Sequence, residues 1–179
     1  AMAGGAPQAD EPLPQELLAQ ANDLSRQGKR KEAIVLYRKA LVLRPNYLEA
    51  HYNLASACAA EQLLDEATLH FSAVIRLKPD FPGARLNLGA IYESQGKLNE
   101  AVAAYREEAR LNPANVEALS SLADALTLQR EYPAAAAAYR QALALAPKDA
   151  TIHMALARSL QLSVDRYGAI QAFNQGITL

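Results

Sequence analysis

Three histidines and one cysteine are the residues whose types suit a metal ion or a nucleophilic reaction: His51, His70, His153 and Cys58. A zinc site needs each ligand within about 2 Å of the ion, and a Cys–His nucleophile needs an orienting group and an oxyanion donor. Neither pattern forms. His51 and His153 stand at the same position of a repeating pattern, three periods apart, which separates them in an extended array. Cys58 follows His51 by seven residues on one helix, without an orienting group. All four read as packed core or edge positions. The carboxylates Glu107-Glu108 and Asp65-Glu66 sit among Lys and Arg and read as solvated helix faces. Gly4-Gly5 lies in the leader, and neither GxGxxG nor GxxxxGK occurs, so phosphate chemistry has no cradle. The expectation is no metal, no cofactor and no catalytic site within this chain.

Composition narrows the partner. The balance of 18 basic against 19 acidic residues, net charge -1, lacks the positive excess of proteins that hold phosphate backbones, which argues against nucleic acid. One cysteine rules out an intrachain disulfide framework and suits the cytosol more than export. Arg, Glu or Pro interrupts every apolar run before about 18 residues, so no membrane span is expected. Hydrophobic residues make up 51%, aromatics only 6%, and alanine is abundant, which favours helices packed closely through small side chains. The start, AMAGGAPQADEPLPQ, has no basic n-region and no apolar h-region; residues 1–13 read as a cloning remnant and flexible leader.

The elements that must position any functional residue repeat. Pro45, Pro79, Pro113 and Pro147 fall 34 residues apart, each two residues after Leu43, Leu77, Leu111 and Leu145. At the same period stand Ala33, Ala67, Ala101, Ala135 and Ala169, each followed one helical turn later by Tyr37, Phe71, Tyr105, Tyr139 or Phe173. First helices carry Leu54, Leu88, Leu122 and Leu156 beside the small Ala55, Gly89, Ala123 and Ala157. Asp80, Asn115 and Asp149 stand where helices begin, ready to accept unsatisfied N–H groups. One such hairpin cannot bury both apolar faces alone, whereas stacked copies share a core.

This pattern resembles the tetratricopeptide repeat over residues 14–179, with repeats at 14–47, 48–81, 82–115, 116–149 and an incomplete 150–179. The chain departs from it in lacking Trp at the large first-helix position, filled by Leu17, His51, Arg85, Leu119 and His153, and in placing Glu108 where a small residue is expected. The resemblance implies an all-α solenoid of antiparallel hairpins, a right-handed superhelix with a concave face lined by first helices. Carried over by position, that face takes Leu18, Asn22, Ser25 and Arg26; Glu49, Tyr52, Asn53 and Ser56; Leu86, Asn87, Ala90 and Glu93; Glu117, Ser120, Ser121 and Asp124; and Met154, Arg158 and Gln161.

The candidate peptide-groove residues are Asn22, Tyr52, Asn53, Asn87, Ser121, Asp124 and Arg158. Asn53 and Asn87 share one repeat position, similar to the asparagine ladder in O-linked N-acetylglucosamine transferases, where an amide offers both donor and acceptor to a peptide main chain. A carboxylate clamp is excluded, because Leu18, Gly83 and Asn87 stand where its cations belong. Glu49, Glu93, Glu117 and Asp124 favour a neutral or basic peptide.

The leading expectation is a protein–protein interaction scaffold holding a partner's peptide or helix. The alternatives are the substrate-recruiting arm of a larger enzyme such as a glycosyltransferase, and a self-assembly module. Leu179 closes the chain inside the fifth repeat and leaves Ile170, Phe173 and Ile177 on one stripe, which reads as a fragment's end or as a face for self-association.

Overall fold

The computed structural model describes residues 12–163 and 166–178, and the expected leader at residues 1–13 therefore lies, up to residue 11, outside the described residues. Among the described residues every regular element is an α-helix. In order they are α1 (Pro14–Arg26), α2 (Arg30–Leu43), α3 (Leu48–Ala60), α4 (Leu64–Leu77), α5 (Ala84–Ser94), α6 (Leu98–Leu111), α7 (Val116–Leu128), α8 (Tyr132–Leu145), α9 (Ala150–Leu162) and α10 (Arg166–Ile177). They pair as antiparallel hairpins and fall into two compact units, residues 1–79 and 80–179.

The inner turns of four hairpins, α1–α2, α3–α4, α5–α6 and α7–α8, are closed in the same way. One residue adopts left-handed backbone: Gly28 and Gly96 at φ 79° and 72°, but also Gln62 at 60° and Arg130 at 65°. The following N–H then reaches back to a carbonyl of the first helix, as in Lys29 N–H to Leu24 O at 2.9 Å and Leu63 N–H to Cys58 O at 2.8 Å. Gln62 and Arg130 hold there a conformation that costs a side-chain residue about 1–2 kcal/mol, which the hairpin packing offsets.

In the first unit Ala21, Ala33, Tyr37, Leu54, Ala55, Ala67, Phe71 and Val74 are buried. In the second, Tyr105 and Tyr139 sit among Ala101, Leu122, Ala123, Ala135, Ala142, Leu156 and Ala157. Each large side chain so buried contributes about 1.5–3 kcal/mol, and the alanines let the helices come close enough to bury it. Gly89 is the extreme case: a Cβ there would lie 2.5 Å from the Tyr105 ring.

Helix starts correct one expectation. Asn115 accepts from Ala118 N–H at 3.1 Å, and Asp149 accepts from Thr151 and Ile152 N–H at 2.9 and 3.1 Å. Asp80 caps nothing, because Pro82 and Gly83 delay α5 until Ala84, with Gly83 left-handed at φ 79°. The cap comes from another helix. Glu108 of α6, 0% exposed, accepts Gly83 N–H at 3.1 Å and Asn112 Nδ2 at 2.7 Å. Glu108 is therefore no solvated face: its Oε1 takes both bonds while Oε2 is buried without a partner, and a helix N-terminus is a favourable place for a carboxylate. Its neighbour Glu107 does face solvent, paired with Arg110 at 2.7 Å.

Candidate peptide groove

In three hairpins a polar residue of the first helix is positioned by a tyrosine of the second. In the first unit the Tyr37 ring is buried and its hydroxyl donates to Asn22 Oδ1 at 2.7 Å, while Asn53 Nδ2 donates to the same oxygen at 2.8 Å. Burial pushes the Tyr37 phenol upward, so it stays a donor. These groups line an open recess of about 440 Å³ with Ser25, Arg26, Arg30 and Ser56.

The second unit repeats the device with carboxylates. Tyr139 OH donates to Asp124 Oδ1 at 2.5 Å, and Tyr105 OH donates to Glu93 Oε2 at 3.1 Å. Burial first and the neighbouring carboxylates next raise both phenols well above the ordinary tyrosine value. Glu93, Ser94, Tyr105, Ser121 and Asp124 line a recess of about 450 Å³.

Of the residues singled out by sequence, Asn22 and Asn53 come together in one recess, and Ser121 and Asp124 in another. Asn87 instead turns its Nδ2 to the carbonyl of Gly83, 2.9 Å away at the start of its own helix, where Gly83 is the residue before α5. The amides of Asn53 and Asn87 thus each donate one hydrogen bond within the chain. Tyr52 packs edge-on against Phe71, ring centroids 5.7 Å apart, and Arg158 is exposed on α9. Leu18, expected on the groove, is only 4% exposed and belongs to the core, because α1 turns its apolar face onto α2.

The tyrosine hydroxyls were not legible as site residues, since their repeat position reads as core. A signal exists nonetheless. Where the second helix carries Tyr37, Tyr105 or Tyr139, the first helix offers Asn22, Glu93 or Asp124; where it carries Phe71 or Phe173, the position of Asn22 and Asp124 holds Ser56 or Arg158.

The histidines and the thiol are not part of either recess. Cys58 is buried, and desolvation with the Glu66 carboxylate pushes its thiol up to about 12, so it holds no thiolate at neutral pH. His51, also buried, meets His70: the two Nδ1 atoms are 2.9 Å apart, a contact the sequence reading missed because the residues lie on different helices. Among the described residues no set of three His, Cys, Asp or Glu side chains could hold a metal ion. On α10, Ile170 and Ile177 are exposed at 59% and 75%, but Phe173 packs inward against the second unit's core, which breaks the expected stripe.

Comparison with known proteins places the chain. A tetratricopeptide-repeat family model matches residues 70–116, 86–150 and 121–162, more than half of the chain, and a second TPR-repeat model matches residues 21–62. No curated protein sequence matches significantly. Among solved structures, the MamA protein superposes with a TM-score of 0.88 at 18% identity, covering 92% of this chain and 90% of that one. MamA from Desulfovibrio magneticus RS-1 gives 0.84 at 20% identity, covering 93% and 94%. YrrB, described as a TPR protein with an unusual peptide-binding site, gives 0.81 at 18% identity, covering 91% and 84%. With hairpins of one period, alanine-spaced cores and the family match, the chain belongs to the tetratricopeptide-repeat family.

Proposed function

We propose that the chain is a protein–protein interaction scaffold that holds an extended peptide or a helix of a partner against the first helices of its hairpins, and that it does no chemistry of its own. The observation that carries this reading is the set of acceptors fixed by buried tyrosine hydroxyls: Asn22, Glu93 and Asp124, each ordered before any partner arrives. Pre-ordered side chains lose little entropy on binding. YrrB, similar in fold, is described as binding peptide, which supports the same use of this surface.

The two recesses favour different side chains. Asn22, Asn53, Arg26 and Arg30 suit a polar or acidic group, and Glu93 with Asp124 suits a basic one. Net charge -1 and these mixed recesses speak for protein as the partner over nucleic acid. No helix among the described residues is long and apolar enough to cross a membrane.

The test is a pull-down with this chain as bait, followed by calorimetry on the captured segment. Asn53→Ala with Asn87→Ala, and separately Asp124→Ala, should each weaken binding about tenfold or more while the circular dichroism spectrum stays unchanged. Equal affinity in both variants would sink the proposal. Self-association through Ile170 and Ile177 of α10 predicts a concentration-dependent mass in light scattering, and a constant monomer rules it out.

A further inference from the structure

His51 and His70 lie between two fixed groups that settle where protons can go. His51 Nε2 is 2.8 Å from Pro45 O, and a carbonyl only accepts, so Nε2 carries a proton. Between the facing Nδ1 atoms, 2.9 Å apart, one proton and no more fits. His70 Nε2 faces Glu66 Oε1 at 3.8 Å. That carboxylate is also held by both arms of Arg38, Nε to Oε1 at 2.8 Å and Nη2 to Oε2 at 2.6 Å. The groups around the pair are therefore Arg38 from α2, Cys58 from α3 and Glu66 from α4, with the thiol neutral.

Counting protons gives three states. In the neutral pair His51 holds Nε2–H, His70 holds Nδ1–H, and a bare His70 Nε2 faces a carboxylate, two acceptors with nothing between them. One added proton fills that gap at His70 Nε2, and all four ring nitrogens then have a use: carbonyl, shared proton and carboxylate. A second added proton has only the facing Nδ1 position left, where two N–H groups would meet at 2.9 Å. That state cannot keep the contact.

We propose that His51 and His70 form a one-proton latch between α3 and α4: the first proton is absorbed in place, and the second releases the helices. Burial and the neighbouring imidazole hold the His70 midpoint below the ordinary histidine value, with Glu66 opposing them. Because α3 also carries Tyr52 and Asn53, release loosens the first unit's recess; this consequence rests on the proposed peptide groove, whereas the titration itself does not.

Nitrogen-15 spectra of the histidine rings in the full chain, from about pH 8 to about pH 4.5, test the latch without any variant. His51 Nε2 should be protonated throughout, and His70 Nε2 should gain a proton in a single step shared by both rings. Glu66→Gln, which removes the charge from a partly exposed side chain, should lower that step by about one pH unit or more. Amide exchange on α3 and α4 should remain slow through the first step and quicken only beyond it. A first proton taken up anywhere other than His70 Nε2, a bare His51 Nε2 at about pH 8, a midpoint indifferent to Glu66→Gln, or protection lost with the first proton would each overturn the proposal.

Discussion

The hairpins α3–α4 and α9–α10 each start from a histidine at the same repeat position, and both rings reach the carbonyl of the proline six residues earlier: His51 to Pro45 O at 2.8 Å and His153 to Pro147 O at 2.9 Å. From there they diverge. Around His51 stand Arg38, Glu66 and His70, joined into one chain of hydrogen bonds and ion pairs. The same register positions around His153 hold Arg140, Gly168 and Ala172, which line a recess of about 320 Å³, and His153 Nδ1 is buried without a partner. Two side chains are missing, and the polar chain between arginine and histidine is gone. A repeat keeps the ring orientation through the backbone bond, while the rest of the frame varies freely, because each hairpin contacts only its neighbours.

The largest effect should come from the aromatic both hairpins share. Phe71→Ala removes a side chain 1% exposed and should cost about 3–5 kcal/mol in urea denaturation, whereas Phe173→Ala, from a half-buried ring, should cost about half of that. Equal losses would mean that α10 is packed as deeply as α4. Next in size, His70→Ala turns α3–α4 into the α9–α10 pattern and strands His51 Nδ1, at about 1–3 kcal/mol. The reverse change, Ala172→His, offers His153 Nδ1 a donor and should raise the unfolding free energy by up to about 1 kcal/mol in the same urea denaturation. A fall would show that the two frames differ in shape as well as in chemistry.

The pH response should separate the hairpins further. Burial lowers the folded pKa of His70 below its unfolded value of about 6.5. Its contribution to stability is therefore complete above about pH 6.5 and is lost as pH falls through the lower folded value. His70→Gln should flatten that slope, and a slope unchanged in the variant would place its origin elsewhere. The smallest effect belongs to the outermost pair. Arg38→Ala breaks a partly exposed ion pair with Glu66 and should cost about 1 kcal/mol or less, while Arg140→Ala, with no ion pair among the described residues, should cost next to nothing.

Legibility in the sequence followed the range of the interactions. Alanine–aromatic spacing, leucine–small pairs and the prolines are periodic and local, so the helical hairpins and their buried faces could be read directly, and so could the caps at Asn115 and Asp149. The late start of α5 could not. Asp80 looked like a cap, and only the fold brings Glu108 from another helix to Gly83 N–H. The recess residues were half legible: first-helix positions pointed to Asn22, Asn53, Ser121 and Asp124, but the hydroxyls that orient them come from rings that pattern alone assigns to the core.

The sequence by itself determined the architecture of this protein, because helix period, repeat length and apolar pattern are properties of near neighbours along the chain, and stacking is the way such hairpins bury both faces. Tertiary structure alone decided which polar groups meet. His51 with His70, Glu108 with Gly83, and the tyrosine hydroxyls with their acceptors join residues 12 to 25 positions apart on different elements, and a hydrogen bond depends on tenths of an ångström that no spacing along the chain can specify.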